Sequence, residues 1–464
     1  MRTAADCVRG ALLLSASFFL VFTSYVAIEN LETSIIPGAC TGCAQVADGA
    51  ICQLDDVCVH KVQFACDVAC AAPYKECKSA LGNMILGVNY LLFSISSLAG
   101  PFVPSLLGEK TSMVIGSISY TTFGVANFVV AVYPSHTAMH WWIMLPAAVF
   151  SGVSASFLWI AQGSYLTQLS VHYAEYMGLP ETSSMGLFHG IFLGIFKCSQ
   201  IAGNLIASFV LGTLGWSTSS LFLIYVGIST LGTLLLWCSI EEQAPLSPLS
   251  TPSETTRLLR EHQKHSVVAT VRAVLSMALD KRMLTLTPLL LFNGIQQGFV
   301  SSEFTSTIVR QSLGQASIGN IMAVFGVVNV VSSYGFGRLA DKLGTLYAQI
   351  FGFTALLAAY VVCVVLSVTR CDDQWAMMVG LSVLLSIGDA SSTTLANVVL
   401  GQDFAHDSLR AFSLFRSYHA GAASLSFFFL RYLSLDGRLY LLMTTLVLGI
   451  AMFVVHHLGY APRQ

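Results

Sequence analysis

GIFLGIFKCSQIAGNLIASF, residues 190–209, is the segment from which the fold class of this chain is most directly inferred. It is largely apolar and matches the ~20 residues that an α-helix needs to cross roughly 30 Å of hydrocarbon. Lys197 nevertheless lies near its middle. A lysine at bilayer depth costs roughly 3 kcal/mol on insertion scales, and such residues usually face protein or water. The segment therefore predicts a membrane-spanning helix with one polar side.

The composition extends this prediction to the whole chain. Of its 464 residues, 55% are hydrophobic and 10% are charged, whereas soluble domains carry about 25% charged residues. Backbone groups in hydrocarbon must be satisfied internally, so the recurring apolar runs are predicted to be helices. The fold class predicted is an all-α polytopic membrane protein with twelve transmembrane helices. The spans are predicted at about 10–29, 81–104, 112–133, 141–166, 185–213, 216–239, 283–302, 316–337, 345–368, 374–400, 409–430 and 437–458.

The flanking charges predict that both termini are cytosolic. Arg2 and Arg9 precede the first apolar run, as in a signal peptide, but no clear small-residue cleavage site follows, so we expect this span to be retained. With both ends cytosolic, most of the 22 Lys and Arg residues fall on the cytosolic side, as the positive-inside rule requires. The basic residues expected on the outer side are Lys61, Lys75, Lys78, Arg310, Arg370, Arg431 and Arg438.

Most of the 12 cysteines are concentrated in the predicted outer loop 30–80. Such density in a short segment indicates disulfide bonds in an oxidising compartment. Zinc binding at CTGC, residues 40–43, is the alternative, although no second Cys-x-x-Cys or paired-histidine motif follows. The cysteines predicted to form disulfides are Cys40, Cys43, Cys52, Cys58, Cys66, Cys70, Cys77 and, after the ninth span, Cys371.

A polar segment, residues 240–282, separates the first six spans from the last six. Its first part is rich in Pro, Ser and Thr, which is typical of disorder. Its second part has apolar residues at helical spacing from Val267 to Ala278, and is either an interfacial helix or a solvated linker. The sequence thus predicts one bundle over 1–239, a cytosolic linker over 240–282 and a second bundle over 283–464.

The two predicted bundles repeat each other faintly, as in transporters built from two parallel repeats. FKCSQ in the fifth span matches FRSYH in the eleventh, which aligns Lys197 with Arg416. ENLETSII at the end of the first span matches SSEFTSTI at the end of the seventh, which aligns Glu32 with Glu303. Both glutamates are expected near the outer interface, where water can solvate a carboxylate.

The segment GRLADKLG, residues 337–344, resembles the loop signature of the major facilitator superfamily. Gly337 and Gly344 would let neighbouring helices approach closely. Asp341, which follows Arg338 by three residues, would interact with a helix N-terminus or a basic side chain. An ordinary solvated turn is the alternative. The resemblance implies two six-helix bundles with a gating loop at these residues.

Longer segments resemble the UNC-93-like family within that superfamily. They are FFLVFTSYVAIENLETSI (18–35), FLWIAQGSYLT (157–167), FHGIFLGIFKCSQIAGN (188–204), NGIQQGFVSSEFT (293–305) and, more loosely, GDASSTT (388–394) and AFSLFR (411–416). The resemblance implies a twelve-helix major facilitator fold and does not extend to the cysteine-rich loop. It leaves the activity open, because members resemble transporters while some regulate a channel or escort receptors.

Polar residues of the fifth span share one side of the helix. At 100° per residue, His189, Lys197, Gln200 and Asn204 fit an arc of about 80°. They either line a central cavity or make hydrogen bonds between helices, which are worth about 0.6–2 kcal/mol each.

Other spans add candidates for the same cavity. Gln162 and Tyr165 either line it or simply pack between helices. Asp389 would pair with Lys197 or Arg416, or take a proton, and Arg416 either faces the cavity or extends to the interface. The cavity residues predicted are Lys197, Gln200, Asn204, Gln162, Tyr165, Asp389, Arg416 and His419.

No motif predicts an enzyme, a cofactor or a metal site, since the chain has no phosphate loop, paired-histidine zinc motif or nucleophile elbow. Its net charge of −2 predicts no nucleic-acid partner. The first function hypothesis is a secondary transporter of a small polar or anionic solute. The second is an accessory subunit that regulates or traffics another membrane protein, such as an ion channel or receptor. Either protein would be integral to the lipid bilayer of the plasma membrane or an endomembrane.

Overall fold

Helices make up nearly all of the described part of the protein in a computed structural model, which covers residues 3–35, 80–133, 136–179, 184–240, 267–314, 317–365, 374–404 and 407–460. Two π-helical segments extend α6 through Phe209–Thr213 and α9 through Phe299–Val309. The α-helices are α1 (Ala4–Ile35), α2 (Ala80–Ser97), α3 (Phe102–Leu107), α4 (Glu109–Val132), α5 (Thr137–Met177), α6 (Met185–Ser208), α7 (Thr218–Ser239), α8 (Val267–Met277), α9 (Lys281–Gly298), α10 (Arg310–Leu313), α11 (Ser317–Leu343), α12 (Thr345–Val365), α13 (Trp375–Asp403), α14 (Ser408–Phe429) and α15 (Leu435–Tyr460).

The helices confirm an integral membrane protein with many spans. Within the described ranges, 9 helices are long and apolar enough to cross a membrane: α1, α4, α5, α6, α7, α11, α12, α13 and α15. Helices α2, α9 and α14 lie where the second, seventh and eleventh spans are predicted, but they are shorter or carry more polar residues. The count of twelve spans therefore stays a prediction.

Two helix boundaries differ from those predicted. Helix α5 continues to Met177, beyond the predicted span end at 166, because nothing interrupts its hydrogen bonds before the left-handed Gly178. The predicted loop 337–344 is also mostly helical, since α11 runs through Leu343 and α12 begins at Thr345. Gly344 alone separates them, with a φ of 87° that glycine adopts without strain.

Contacts between helices repeat in the two halves of the chain. Helix α1 packs on α6 and α7 as α9 packs on α14 and α15. Helix α4 packs on α5 and α7 as α12 packs on α13 and α15, and α2 packs on α5 as α11 packs on α13. Two six-helix bundles divided within 240–282 would produce this pattern, and residues 241–266 of that segment lie outside the described residues.

The halves meet through two repeat-related helix pairs, α2 with α14 and α6 with α11. We call the end of the bundle that carries residues 35 and 80 the loop face, and the opposite end, reached by residues 240 and 267, the linker face. Eight hydrogen bonds that join the halves lie from the middle of the helices to the loop face. The structure is therefore closed at the loop face.

The sequence predicts that water solvates Glu32 and Glu303 near the outer interface. Both lie near the loop-face ends of their helices, but they are buried within the protein, at 0% and 2% exposed. The carboxylate of Glu303 is paired with the guanidinium of Arg438, which was expected in an outer loop and is 2% exposed. Arg438 Nε also donates to the carbonyls of Leu430 at 2.8 Å and Leu433 at 3.0 Å. Burial of this charge is tolerated because it is both paired and hydrogen-bonded.

Candidate central site between the two halves

Lys197 of α6 reaches across the interface between the halves. Its Nζ donates a 2.7 Å hydrogen bond to Oδ1 of Asn329 on α11. Nδ2 of Asn329 in turn donates a 2.8 Å hydrogen bond to Oδ2 of Asp389 on α13. An amide is suited to this position because it presents an acceptor to the ammonium and a donor to the carboxylate. We call the three residues the Lys197–Asn329–Asp389 bridge.

The bridge explains how a lysine is accommodated at this depth. Lys197 lies at least 12 residues, or ~18 Å at 1.5 Å per residue, from either end of its predicted span. Its stem is too short to carry the ammonium to the interface. Asn329 is 2% exposed, while Lys197 and Asp389 are partly buried and attract each other electrostatically. The opposite charges and the amide together compensate for the loss of water.

Arg416 of α14, the repeat counterpart of Lys197, reaches the other half of the chain. Its guanidinium carbon lies 5.7 Å from the ring centroid of Trp159 on α5. Tyr120 and Tyr90 interact with it electrostatically, but no carboxylate among the described residues forms a salt bridge with it. The cation–π contact stabilises the charge by about 0.5–2 kcal/mol and leaves the guanidinium available to an anion.

A second polar link joins the halves at Glu29 of α1. The hydroxyl of Tyr90 on α2 donates a 2.7 Å hydrogen bond to Oε1 of Glu29. Gln297 of α9 donates to Tyr90 at 2.6 Å and to Glu29 at 3.4 Å. Glu29 is 4% exposed. This link lies on the loop-face side of the structure and holds the first half against the second.

Comparison with known proteins identifies the family. A family model described as "Ion channel regulatory protein UNC-93" matches residues 75–454. The chain belongs to the UNC-93 family. "UNC93-like protein 3" of Arabidopsis thaliana is 29% identical over 435 residues, which cover 92% of this chain and 81% of that protein.

Other members of the UNC-93 family are more distant. "Protein unc-93 homolog A" of Homo sapiens is 24% identical over 475 residues, covering 95% of this chain and 91% of that protein. The "Putative potassium channel regulatory protein unc-93" of Caenorhabditis elegans is 24% identical over 480 residues, covering 95% of this chain and 59% of that protein.

Solved structures show that this UNC-93 family chain has the fold of major facilitator transporters. A POT family transporter in complex with 5-aminolevulinic acid superposes with a TM-score of 0.63 at 13% identity, covering 97% of this chain and 96% of that one. The xylose transporter XylE from E. coli superposes with a TM-score of 0.59 at 13% identity, covering 100% and 98%. Likeness at this identity concerns the fold alone.

The other predicted cavity residues of α6 lie beside the bridge rather than in it. Gln200 is partly buried and packs near Gly326 of α11. Asn204 is 0% exposed; its Oδ1 accepts a 3.2 Å hydrogen bond from Asn30 of α1, and its Nδ2 donates to the Gln200 carbonyl at 2.7 Å. Asn204 thus joins two helices within one half.

The residues predicted on the fourth and eleventh spans are only partly gathered at the centre. Gln162 and Tyr165 are 7% and 2% exposed on α5, and the Tyr165 hydroxyl packs beside Gly10 of α1. His419 is partly buried on α14, with its ring 5.8 Å from that of Phe415. The structure therefore brings Lys197 and Asp389 together and leaves these three side chains outside the bridge.

The predicted gating residues lie in the last turns of α11 and just after it. The guanidinium of Arg338 lies 4.8 Å from the ring of Tyr334 on the same helix. A β-carbon at Gly337 or Gly344 would meet no atom within 4 Å, so close packing is not the reason for glycine there. The side chain of Asp341 lies outside the described residues, as do Cys40, Cys43, Cys52, Cys58, Cys66, Cys70, Cys77 and Cys371.

Sequence reasoning missed Asn329, the middle residue of the bridge. It lies in VFGVVNVVSSYG, an apolar run with no polar stripe around it. The available signal was the amide itself, because a lone polar side chain within a span is expected to find a partner inside the protein. Glu29 was likewise missed, since it was treated as part of the end of the first span.

Proposed function

We propose that this UNC-93 family protein is a secondary transporter that carries a small polar or anionic solute by alternating access. The Lys197–Asn329–Asp389 bridge carries the proposal, because it joins the two halves through charged groups near the middle of the spans. Rocking of one bundle against the other would break and remake such a link. Arg416, without a carboxylate partner in the described part of the chain, supports a solute that brings a negative charge.

We propose that the structure is the state of the transport cycle that is open towards the linker face. Its halves are hydrogen-bonded from the centre to the loop face. The alternate state would break the bonds at the loop face and close the linker face. We further propose that both termini are cytosolic, so that the linker face is the cytosolic one.

Uptake into proteoliposomes tests the proposal directly. The purified full chain would be offered a panel of radiolabelled small organic anions, inorganic anions and neutral polar solutes. We expect the Lys197→Met variant to lose any uptake that the wild type shows while still folding, although with a lower unfolding temperature, because Asp389 is left without its counter-charge. Lys281→Met is the matched control, because Lys281 is exposed at the start of α9. Full uptake by the Lys197→Met variant would contradict the assigned role of the bridge.

The family description favours a second candidate, an accessory subunit of another membrane protein. Helices α4, α7, α12 and α15 would carry the contact, because each presents large apolar side chains outward. Examples are Val125, Trp237, Phe351 and Val447. Photo-crosslinkers at these positions should capture one recurrent channel or receptor if this candidate is correct. Capture of lipid alone from every position, together with solute uptake, would favour the transporter.

The topology proposed for either candidate has the segment 30–80 outside the cytosol and bonded by disulfides. That segment lies almost wholly outside the described residues. A membrane-impermeant thiol probe applied to intact cells should label it strongly only after reduction. Strong labelling without reductant would contradict the disulfides, and absence of labelling after reduction would contradict the orientation at the plasma membrane.

A further inference from the structure

The repeat-related glutamates, Glu32 and Glu303, are both buried, but of the two only Glu303 forms a salt bridge among the described residues. Glu303 is paired with Arg438, which is the fourth residue of α15. The fourth residue of α7, the corresponding helix of the first half, is Leu221, which is 0% exposed. The first half therefore has an apolar side chain at the position from which the second half supplies a guanidinium.

Glu32 has no hydrogen-bond partner for either carboxyl oxygen, although it is 0% exposed. Asn127 of α4 is its polar neighbour, and the Oδ1 of that amide is unpartnered as well. Helix α2 approaches so closely that a β-carbon at Gly82 would lie 2.6 Å from the Glu32 carbonyl oxygen. The titratable groups that interact with Glu32 are Glu29 and Tyr25, on its own helix, and neither is a cation.

Such surroundings favour the neutral carboxyl. An ionised carboxylate buried without a cation costs several kcal/mol, roughly the penalty that makes buried acids take up a proton, and the nearby Asn127 amide offsets only part of it. Glu29 differs, because Tyr90 and Gln297 donate hydrogen bonds to it that offset part of the cost of burying its charge. A metal cation would require a shell of oxygen ligands, whereas a proton requires a single oxygen.

We propose that Glu32 is a proton-binding site whose protonation is coupled to closure of the loop face. The coupling follows from the residues beside it. Thr33 donates to the Ser302 carbonyl at 3.4 Å, and Ser302 donates to Oδ1 of Asn83, beside Gly82, at 2.7 Å. These bonds join the halves through residues that neighbour Glu32 in the chain or pack on its backbone.

The proton transfer is simple in chemical terms. Separation of α1 and α2 from the segment Phe299–Val309 at the loop face would admit water to Glu32. The carboxyl O–H bond can then break, with the proton passing to water and the carboxylate remaining hydrated. Because only the closed state excludes water from the carboxyl, protonation stabilises closure and deprotonation stabilises opening. This inference rests on the proposed alternating access and names the proton as its coupling ion.

Infrared spectroscopy of the full chain in lipid nanodiscs tests the proton site without any solute. The wild type should show the C=O stretching band of a buried protonated carboxyl, and Glu32→Gln should lose it. Glu29→Gln and the double variant Glu303→Gln, Arg438→Met should retain it. Absence of the band in the wild type, or its persistence in a folded Glu32→Gln variant, overturns the proposal. The wild-type spectrum keeps the test decisive if a variant does not fold.

A distance measurement tests the coupling. Noncanonical labels would replace Trp216 and Leu433, which are 53% and 41% exposed and follow the loop-face ends of corresponding spans in the two halves. We expect the wild-type distance to increase as pH rises, and the Glu32→Gln distance to remain short at every pH. A wild-type distance that does not change with pH overturns the coupling. Neither measurement involves uptake. If no solute is transported, the proposed function is therefore contradicted, but the proposed proton site is not.

Discussion

Lys197 and Arg416 are repeat-related cations, and each reaches from its own half towards the other. Lys197 is joined through Asn329 to the carboxylate of Asp389. Arg416 lies against the face of Trp159 with no acid in salt-bridge contact within the described ranges. One charge is thus compensated by the protein itself, and the other is not.

The difference assigns the two cations different roles in the proposed transport cycle. In that proposal Lys197 belongs to a link between the halves that opens and reforms, so its charge would govern the conformational change. Arg416 has an uncompensated charge beside an aromatic face, so it is the better partner for a solute anion. The first three expectations that follow separate these roles, the fourth tests the packing of the repeats, and each can be measured independently of the others.

The largest effect is expected from Asp389→Asn, which leaves Lys197 without a counter-charge. Breaking a buried pair by removing one partner costs about 3–5 kcal/mol, so the free energy of unfolding in detergent should fall by about that amount. The double variant Lys197→Met, Asp389→Leu should recover most of the stability but none of the uptake. Equal stability of the single variant and the wild type would show that the bridge compensates no charge.

A loss of solute affinity is expected from Arg416→Met. Removing one partner of a desolvated charge contact costs roughly 2–5 kcal/mol, which corresponds to about 30-fold or more in affinity. The unfolding free energy should change much less, because no acid is left unpaired. Arg272→Met, on the exposed side of α8, is the control. An Arg416→Met variant that binds solute normally but unfolds easily would make Arg416 structural instead.

A smaller effect is expected from Asn329→Ala, which removes the amide but keeps both charges. Loss of a buried hydrogen-bond partner costs about 1–3 kcal/mol, and the remaining charges still attract each other across the gap. The unfolding free energy should therefore fall by less than in Asp389→Asn. A double-mutant cycle with Lys197→Met measures this coupling, and an interaction energy of zero would contradict the bridge.

Effects on stability alone are expected at glycines that allow corresponding helix pairs to pack. A β-carbon at Gly203 would clash with the backbone carbonyl oxygen of Thr23, and one at Gly294 would clash with that of His419, so the paired helices would have to move apart. Alanine at either position should destabilise the protein by about 1–3 kcal/mol through overpacking. Gly163→Ala is the matched control, because its β-carbon would meet nothing within 4 Å. Similar unfolding free energies for all three variants would contradict the repeat.

The positions of the long helices could be predicted because each long apolar run in the sequence is about long enough to cross the membrane. The end of α5 could not, since a helix continues into water until Gly178 stops it. The segment 337–344 was expected to form a loop, but only Gly344 leaves the helix. Hydropathy gives the extent of the apolar run and does not give the point at which the backbone hydrogen bonds end.

The site was less predictable than the fold because its partners come from distant parts of the chain. A rare intramembrane charge identified Lys197 and Asp389 as candidates, but a single sequence does not contain their Asn329 link. Glu303 and Arg438 were placed near water for the same reason, since their pairing depends on how α15 packs against the segment that extends α9. Sequence locates the charges, and tertiary packing determines which of them are compensated.

The proposed transport cycle requires that Arg416, a cation without a carboxylate partner in the described part of the chain, be reached by water from the linker face and not from the loop face. Thiol labelling of Arg416→Cys, in a background without the exposed Cys198 and Cys238, tests it most directly. A membrane-impermeant reagent would be added to vesicles of each orientation, and peptide mass spectrometry would report the modification of residue 416. Labelling from the linker face alone is the expected result. A thiol that reacts from neither face, or only from the loop face, would contradict the account.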